Sequence, residues 1–275
     1  MGSDCTWLSA AGDTARVLQI TDTHLKADVG GDLLGMDTDH SLQAVIELVK
    51  NEYDTPDVLL VTGDLADSGA RDAYRRAIDY FDALTAEHYW LPGNHDLREA
   101  MLEIGGPVRL PGEIRIGAWQ LVLLDSQIPG EVGGCLGRAE LERLQACLEA
   151  AAEARLYSLI CLHHHPVPVG CAWLDQQVVS DARAFFEVLA RFPLVRGVLW
   201  GHVHQELDRR LGDLRLLCTP STCVQFLPGQ SDFAVDTRPP GYRWLELGRD
   251  GSLATGVSRV ETKRFYVDQE ASGYL

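Results

Sequence analysis

Positive charge is scarce in this chain. Its 275 residues carry 24 Lys and Arg against 40 Asp and Glu, a formal charge of −16 with histidine neutral. Such a surface repels phosphate backbones, so a general nucleic-acid binder is not expected. Any phosphate-bearing ligand has to meet positive charge supplied locally. Long apolar runs are missing too. Val58 to Val61 and Leu121 to Leu124 fall far short of the roughly 20 residues of a bilayer-spanning helix, so no membrane partner is expected. Paired cysteines are absent as well. Seven cysteines with no C-x-x-C spacing encode neither a disulfide framework nor a cysteine zinc site. The first residues lack the basic start and apolar stretch of a secretory leader, which together with the unpaired thiols points to the cytoplasm. No G-x-S-x-G elbow and no Walker A loop occur, which removes the nucleophilic-serine and P-loop classes.

What is present is an ample core-forming content, 46% apolar, with strong alternation of element types. Short apolar, β-branched runs at Arg16 to Thr21, Asp57 to Thr62, Glu87 to Leu91, Gln120 to Leu124, Tyr157 to Leu162 and Val195 to Trp200 read as buried strands. Helical spacing falls between them, at Ser41 to Asn51, Arg71 to Thr85, Arg138 to Ala154 and Ser180 to Phe192, the last with Ser180 placed to cap it. Glu206 to Cys218 and Tyr242 to Val260 read as strands, the second split by the hairpin signal Asp250-Gly251. Gly105 to Gly112 and Arg238 to Gly241 read as surface loops. The expectation is one α/β domain over residues 16–260, with an N-terminal extension at 1–15 and a C-terminal tail at 261–275.

Most of the nine histidines fall in four tight clusters, the first two of which also hold carboxylates or an amide: Asp22-Thr23-His24, Gly93-Asn94-His95-Asp96, His163-His164-His165-Pro166 and Gly201-His202-Val203-His204. With Gly63-Asp64 they make five, and each follows a predicted strand. In α/β folds ligands bind beyond the carboxyl ends of the strands, so the five can converge on one site. Asp22 and His24 lie two apart, which on extended chain puts both side chains on one face for a single metal. His202 and His204 repeat that spacing, and Gly201 removes a side chain that would crowd the approach. Asn94, one of only two asparagines, offers a neutral amide oxygen that fills a coordination position without cancelling cationic charge. His95 beside it can reach the substrate, and Asp96 is a candidate to orient its ring.

In this order the elements D-x-H, G-D, G-N-H-D, H-x-P and G-H-x-H resemble the calcineurin-like metallophosphoesterase family, over Asp22 to His204. The runs Leu18 to His24, Leu162 to Gln176, Thr219 to Phe226 and Pro240 to Arg243 resemble, within it, the bacterial class III cyclic AMP phosphodiesterases. The resemblance implies an α/β fold, a mixed sandwich of two β-sheets flanked by helices. It implies that Asp22, His24, Asp64 and His204 bind one divalent ion and Asp64, Asn94, His164 and His202 a second, with Asp64 shared. His164 is the member of the triplet two residues before the proline, where the family pattern has its ligand. Iron or manganese is favoured and zinc accommodated. Purple acid phosphatases carry a Tyr three residues after the shared Asp; here that residue is Asp67, so a tyrosinate-bound ferric ion is not expected.

The implied reaction is hydrolysis of 3′,5′-cyclic AMP to 5′-AMP by a hydroxide bridging the ions, with His95 and Asp96 as catalytic residues and Asn94, His95 and His204 as substrate contacts. Two divalent ions less two carboxylates and one hydroxide leave about one positive charge, the local field that the acidic surface lacks. Cys171 to Gln176 and Thr219 to Phe226 are candidates for the base and ribose pocket, with Trp173 or Phe226 placed to stack on a purine. The competing readings are a phosphoesterase for other diesters, monoesters or nucleotide pyrophosphates, and a scaffold without catalysis. The sequence is neutral between a monomer and a homodimer.

Overall fold

The computed structural model describes residues 5–10 and 12–273. In chain order its strands are β1 Cys5–Leu8, β2 Thr14–Ile20, β3 Asp32–Leu33, β4 Met36–Asp37, β5 Val58–Thr62, β6 His88–Leu91, β7 Glu113–Ile116, β8 Trp119–Leu123, β9 Tyr157–Cys161, β10 Val195–Trp200, β11 Leu207–Leu211, β12 Leu214–Cys218, β13 Gln225–Phe226, β14 Val235–Asp236, β15 Gly241–Gly248 and β16 Leu253–Arg259. The α-helices are α1 Thr38–Glu52, α2 Arg71–Asp82, α3 Arg98–Arg109, α4 Gly137–Ala154 and α5 Ala182–Leu189.

Two sheets face each other. One has the order β16-β15-β2-β5-β6 and the other β1-β7-β8-β9-β10-β12-β11. Side chains alternate across each strand, so a strand covered on both faces must be apolar at every position. In β5, Val58 and Leu60 enter the core between the sheets with Leu121, Leu159 and Leu199, while Leu59 and Val61 face the layer of α1, α2 and α3. On the second sheet Val198 and Trp200 face α4 and α5, and Leu199 faces inward. The order helix, sheet, sheet, helix is thus the expected αββα sandwich. Each fully buried aliphatic side chain contributes about 1.5–3 kcal/mol.

Strands β2, β5 and β6 run parallel, as do β8, β9, β10 and β12. Their carboxyl ends meet on one side of the sandwich, and every cluster named above follows one of them.

Several local expectations change. Gly105 lies inside α3, with its Cα hydrogens against the Trp90 ring where a Cβ would come within 2.8 Å. The surface loop there begins only after the helix breaks at Gly106 (φ 68°). Helix α5 starts beyond Asp181, not Ser180, and the Asp181 carboxylate accepts from the Leu136 and Gly137 amides at the start of α4 instead of capping its own helix. Cys5–Leu8 pairs in parallel with β7 at the sheet edge. Residues 261–273 hold no strand or helix but lie on the body: Asp268 N–H donates to Leu34 O at 2.8 Å, Lys263 Nζ is 2.7 Å from Glu47 and the Phe265 ring is 5.7 Å from that of His40. Among the described residues no helix is long and apolar enough to cross a membrane.

Candidate metal centre and active site

The loops that follow β2 and β5 are zipped together. Asp22 N–H donates to Gly63 O (3.0 Å) and His24 N–H to Asp64 O (2.9 Å), which carries the strand pairing past the regular sheet. The chain is not extended there. Asp22, His24, Asp64, His202 and His204 all have left-handed backbone, with φ of 54°, 46°, 52°, 65° and 47°. The D-x-H and H-x-H pairs converge through these bends, not through the alternation of an extended chain. Non-glycine residues held in this region carry strain, and here it gathers at the candidate ligands. Two glycines admit the close approach. A Cβ on Gly201 would fall 2.6 Å from Asp22 Oδ2, and one on Gly93 would fall 2.5 Å from the Asp64 amide nitrogen.

Both carboxylates are buried, at 0% exposure for Asp22 and 1% for Asp64. Asp22 Oδ2 accepts from Thr21 Oγ1 (2.7 Å) and the His202 amide (3.1 Å), and its Oδ1 lies 3.4 Å from His204 Nε2. Asp64 Oδ1 accepts from the His95 amide at 2.8 Å, while Oδ2 faces His163 Nε2 at 3.2 Å and His24 Nε2 at 3.7 Å. Burial alone would raise both carboxyl pKa values. The imidazoles around them outweigh it, and both stay below the usual carboxylate range. His24 and His164 are pushed down to about 3, chiefly by burial, and His202 well below its ordinary value for the same reason. Ionised carboxylates beside the neutral rings of His24, His164 and His202 are a donor set for a cation.

The contacts of His163 test that fit. Its Nδ1–H donates to Thr62 O (2.8 Å), so in the neutral ring the Nε2 lone pair points at Asp64 Oδ2 and Asn94 Oδ1, each 3.2 Å away. Three acceptors face one another, a confrontation that only a proton or a metal ion relieves. Accordingly, although burial lowers it, the carboxylates raise the His163 pKa to about 9. Among the described residues, four groups of three bring their donor atoms within 4.8 Å of one another: Asp22 with His24 and His204, Asp22 with Asp64 and His163, His163 with His164 and His202, and His24 with Asp67 and His95. His202 Nε2 is buried without a hydrogen-bond partner.

The surroundings of the triplet and of the two carboxylates near His95 are as follows. The His164 ring is turned toward the 126–134 loop, with Nδ1 at 2.8 Å from Ser126 Oγ and Nε2 at 3.2 Å from Val132 O. It is His163 that faces Asp64 and Asn94. His165 stacks on His202, ring centroids 5.6 Å apart. The carboxylate beside the His95 ring is Asp67, whose Oδ1 is 3.2 Å from Nδ1, and Lys26 Nζ sits 2.9 Å from the other Asp67 oxygen. Asp96 instead accepts from the amides of Leu65, Ala66 and Gly93 and from Tyr74 O–H, and so ties the loops after β5 and β6 together. Asp67 lay in plain view three residues after Asp64, but nothing in the spacing tells which carboxylate meets His95.

Of the three expected substrate contacts, Asn94 and His95 are partly exposed, whereas His204 is 1% exposed. Phe226 is fully buried with its face on the His204 ring, so it cannot stack on a purine; Trp173 remains half-buried at the edge of Phe226. Below the cluster a polar network joins the sheets. Gln19 Nε2 donates to Thr62 Oγ1 (2.7 Å) and Trp200 O (3.2 Å), Thr219 Oγ1 donates to Gln19 Oε1, and the 1%-exposed Arg243 donates to Thr219 Oγ1, Leu207 O and Cys218 O. None of that pairing is readable from a motif.

A sandwich of two sheets with buried carboxylates, imidazoles and an amide gathered at one edge has the architecture of a metallophosphoesterase. The chain belongs to the calcineurin-like phosphoesterase family, whose sequence model matches residues 15–206. It is 47% identical over 259 residues to the 3′,5′-cyclic adenosine monophosphate phosphodiesterase CpdA of Pseudomonas aeruginosa, covering 94% of each chain. To the protein of the same name from Escherichia coli K12 it is 44% identical over 272 residues, covering 97% of this chain and 98% of that one. In three dimensions it resembles a dimetal phosphatase from Danio rerio with a TM-score of 0.60 and 16% identity, over 90% of this chain and 99% of the other, a likeness of fold.

Proposed function

We propose that this chain hydrolyses 3′,5′-cyclic AMP to 5′-AMP in the cytoplasm, at a pair of divalent ions. One ion is held by Asp22, His24, Asp64 and His204, and the other by Asp64, Asn94, His202 and, from the histidine triplet, His163. The observation that carries the reading is the Asp64 carboxylate, buried between His24 on one side and His163 on the other, with Asn94 against His163. The nucleotide part of the reading is supported by the cyclic AMP phosphodiesterases to which the chain is similar along nearly its whole length. Iron or manganese suits this donor set best, and zinc fits it; so much imidazole disfavours calcium and magnesium.

When bound, the ions supply Lewis acidity toward the phosphoryl oxygens and an activated water. The side chains do the rest. Asp22 and Asp64 are held ionised. Thr62 and Val224 carbonyls accept from Nδ1–H of His163 and His204 (2.8 and 2.7 Å) and so turn each Nε2 toward the cluster. Asp67 does the same for His95. Burial would lower the His95 pKa, but Asp64 and Asp67 raise it above its ordinary value. The protonated ring, anchored through Nδ1–H to Asp67, then presents Nε2–H as the donor to the departing ribose O3′. The hydrogen bond from His95 first, and then Lys26 paired with the second oxygen, keep Asp67 ionised against the opposing effect of burial.

The test is turnover by protein reconstituted with Fe(II) or Mn(II), comparing cyclic AMP, cyclic GMP, 2′,3′-cyclic AMP, glycerophosphodiesters and p-nitrophenyl phosphates by kcat/KM, with products identified by phosphorus NMR. Cyclic AMP is expected to lead, with 5′-AMP as product. A rank far below the other esters, or a 3′-phosphate product, overturns the proposal.

A further inference from the structure

We propose that Phe226 is a positioning residue for the metal centre, an aromatic brace that fixes the plane of the His204 ring and so slows release of the ion that His204 helps to hold. The inference rests on the assignment of His204 as a metal ligand. It extends that assignment to a residue that touches neither metal nor substrate.

Three observations define the brace. The Phe226 and His204 rings are nearly parallel, 7° apart, with centroids separated by 4.2 Å, against 5.1 Å between His204 and His24. His204 Nδ1–H donates to Val224 O at 2.7 Å, so the same short segment grips the ring in its plane and covers its face. Phe226 in turn is held. It is fully buried, Trp173 and Phe233 meet it edge-on at 5.1 and 5.5 Å, and β13 pairs with β14 through Phe226 and Val235.

An imidazole ligand on left-handed backbone, φ 47°, has lost the support of regular structure, and rotation about its side-chain bonds would swing Nε2 away from Asp22 Oδ1 and His24 Nε2, now 3.4 and 3.2 Å distant. A hydrogen bond at Nδ1 opposes movement in the ring plane but opposes tilting about the Nδ1–O axis only weakly. A flat surface against the ring face opposes the tilt. Leucine would fill much of the same volume yet present no plane.

The variants that separate bracing from packing are Phe226→Leu, Phe226→Tyr and Phe233→Leu. Phe233 belongs to the same cluster, so its substitution reports the cost of loosening that cluster. Each protein is loaded with Mn(II), its metal content measured, and release into excess chelator followed. By analogy with other groups that orient ligands, Phe226→Leu should release one of its two ions about 10–100-fold faster with the other unchanged. Phe226→Tyr should restore the slow phase, and Phe233→Leu should release at the wild-type rate. In metal-free wild type, nitrogen-edited NMR should show the His204 Nδ1 proton protected from exchange, with that protection lost in Phe226→Leu. Equal release from Phe226→Leu and wild type overturns the inference, as does faster release from Phe233→Leu to the same extent. If Phe226→Leu does not fold, an exchanging Nδ1 proton in the wild type overturns it alone. A wild-type chain that binds no pair of ions refutes instead the assignment of the centre.

Discussion

The pairing of His95 with Asp67 permits a test in which one substrate serves as the control for another. A proton donor matters in proportion to how poor the leaving group is. Ribose O3′ leaves as an alkoxide unless protonated, whereas p-nitrophenolate leaves unaided. General acid catalysis contributes about 10²–10⁴-fold, so His95→Ala should lower kcat/KM for cyclic AMP by that factor and change turnover of bis(p-nitrophenyl) phosphate by no more than about threefold. For Asp67→Asn the relevant contact is the 3.2 Å approach of Oδ1 to His95 Nδ1. A hydrogen bond to a charged group is worth about 1.5–3 kcal/mol. At about 1.4 kcal/mol per factor of ten, its loss should cost about 10–150-fold on cyclic AMP, again with little effect on the nitrophenyl ester. The double variant should be hardly worse than His95→Ala, because both changes remove one function. Metal content is measured in parallel and should stay at the wild-type value. An equal fall on both substrates would show that His95 does not protonate the leaving group. Additive losses in the double variant would show that Asp67 acts elsewhere.

Within the histidine triplet, His163→Ala should weaken binding of one ion by more than 100-fold, and His164→Ala, whose ring nitrogens bond to Ser126 and Val132 beside the His163 and His202 rings, by about 10–100-fold; metal titration gives the order, and the reverse order returns the ligand to His164. Arg243→Met should destabilise the chain by about 2–5 kcal/mol in urea unfolding, since it removes charge-assisted hydrogen bonds to Thr219 Oγ1, Leu207 O and Cys218 O at a buried site; a loss below about 1 kcal/mol would mean that the network is replaceable. His88 accepts at Nδ1 from Trp90 Nε1–H (2.9 Å) and is held at about 4, first by burial and then by Arg109. Because that value lies below the unfolded one of about 6.5, the unfolded chain binds the extra proton in this window, and stability should fall as pH drops from about 6.5 toward 4, by up to about 3 kcal/mol from this residue. In metal-free protein His88→Gln should flatten that part of the acid slope, and an unchanged slope would show that His88 titrates normally.

Much of the architecture was legible because its causes are local. Strands buried on both faces must be apolar throughout, and so β5, β9 and β10 stand out within a residue or two of their observed limits. Helix α3 did not, because Gly105-Gly106-Pro107 signals a loop, whereas Gly105 is required by the Trp90 ring pressed against it. The edge strand β1, its neighbour β7 and the two-residue strands β13 and β14 are too short to show a period.

The identities of the chemistry-bearing side chains belong to the sequence alone: carboxylate, imidazole and amide, each set after a strand whose end must lie on one side of the sandwich. Which atoms of those side chains meet is another matter. His163, His164 and His165 are the same residue three times over, and they part only because Thr62 O claims one ring, Ser126 the next, and the His202 face the third. Asp67 and Asp96 are likewise two equal carboxylates near one histidine, separated by whether backbone amides or the His95 ring come within reach. Spacing along a chain specifies residue types and strand ends; ring orientation and proton position are fixed by neighbours as many as 180 residues distant, and those come together only when the two sheets close.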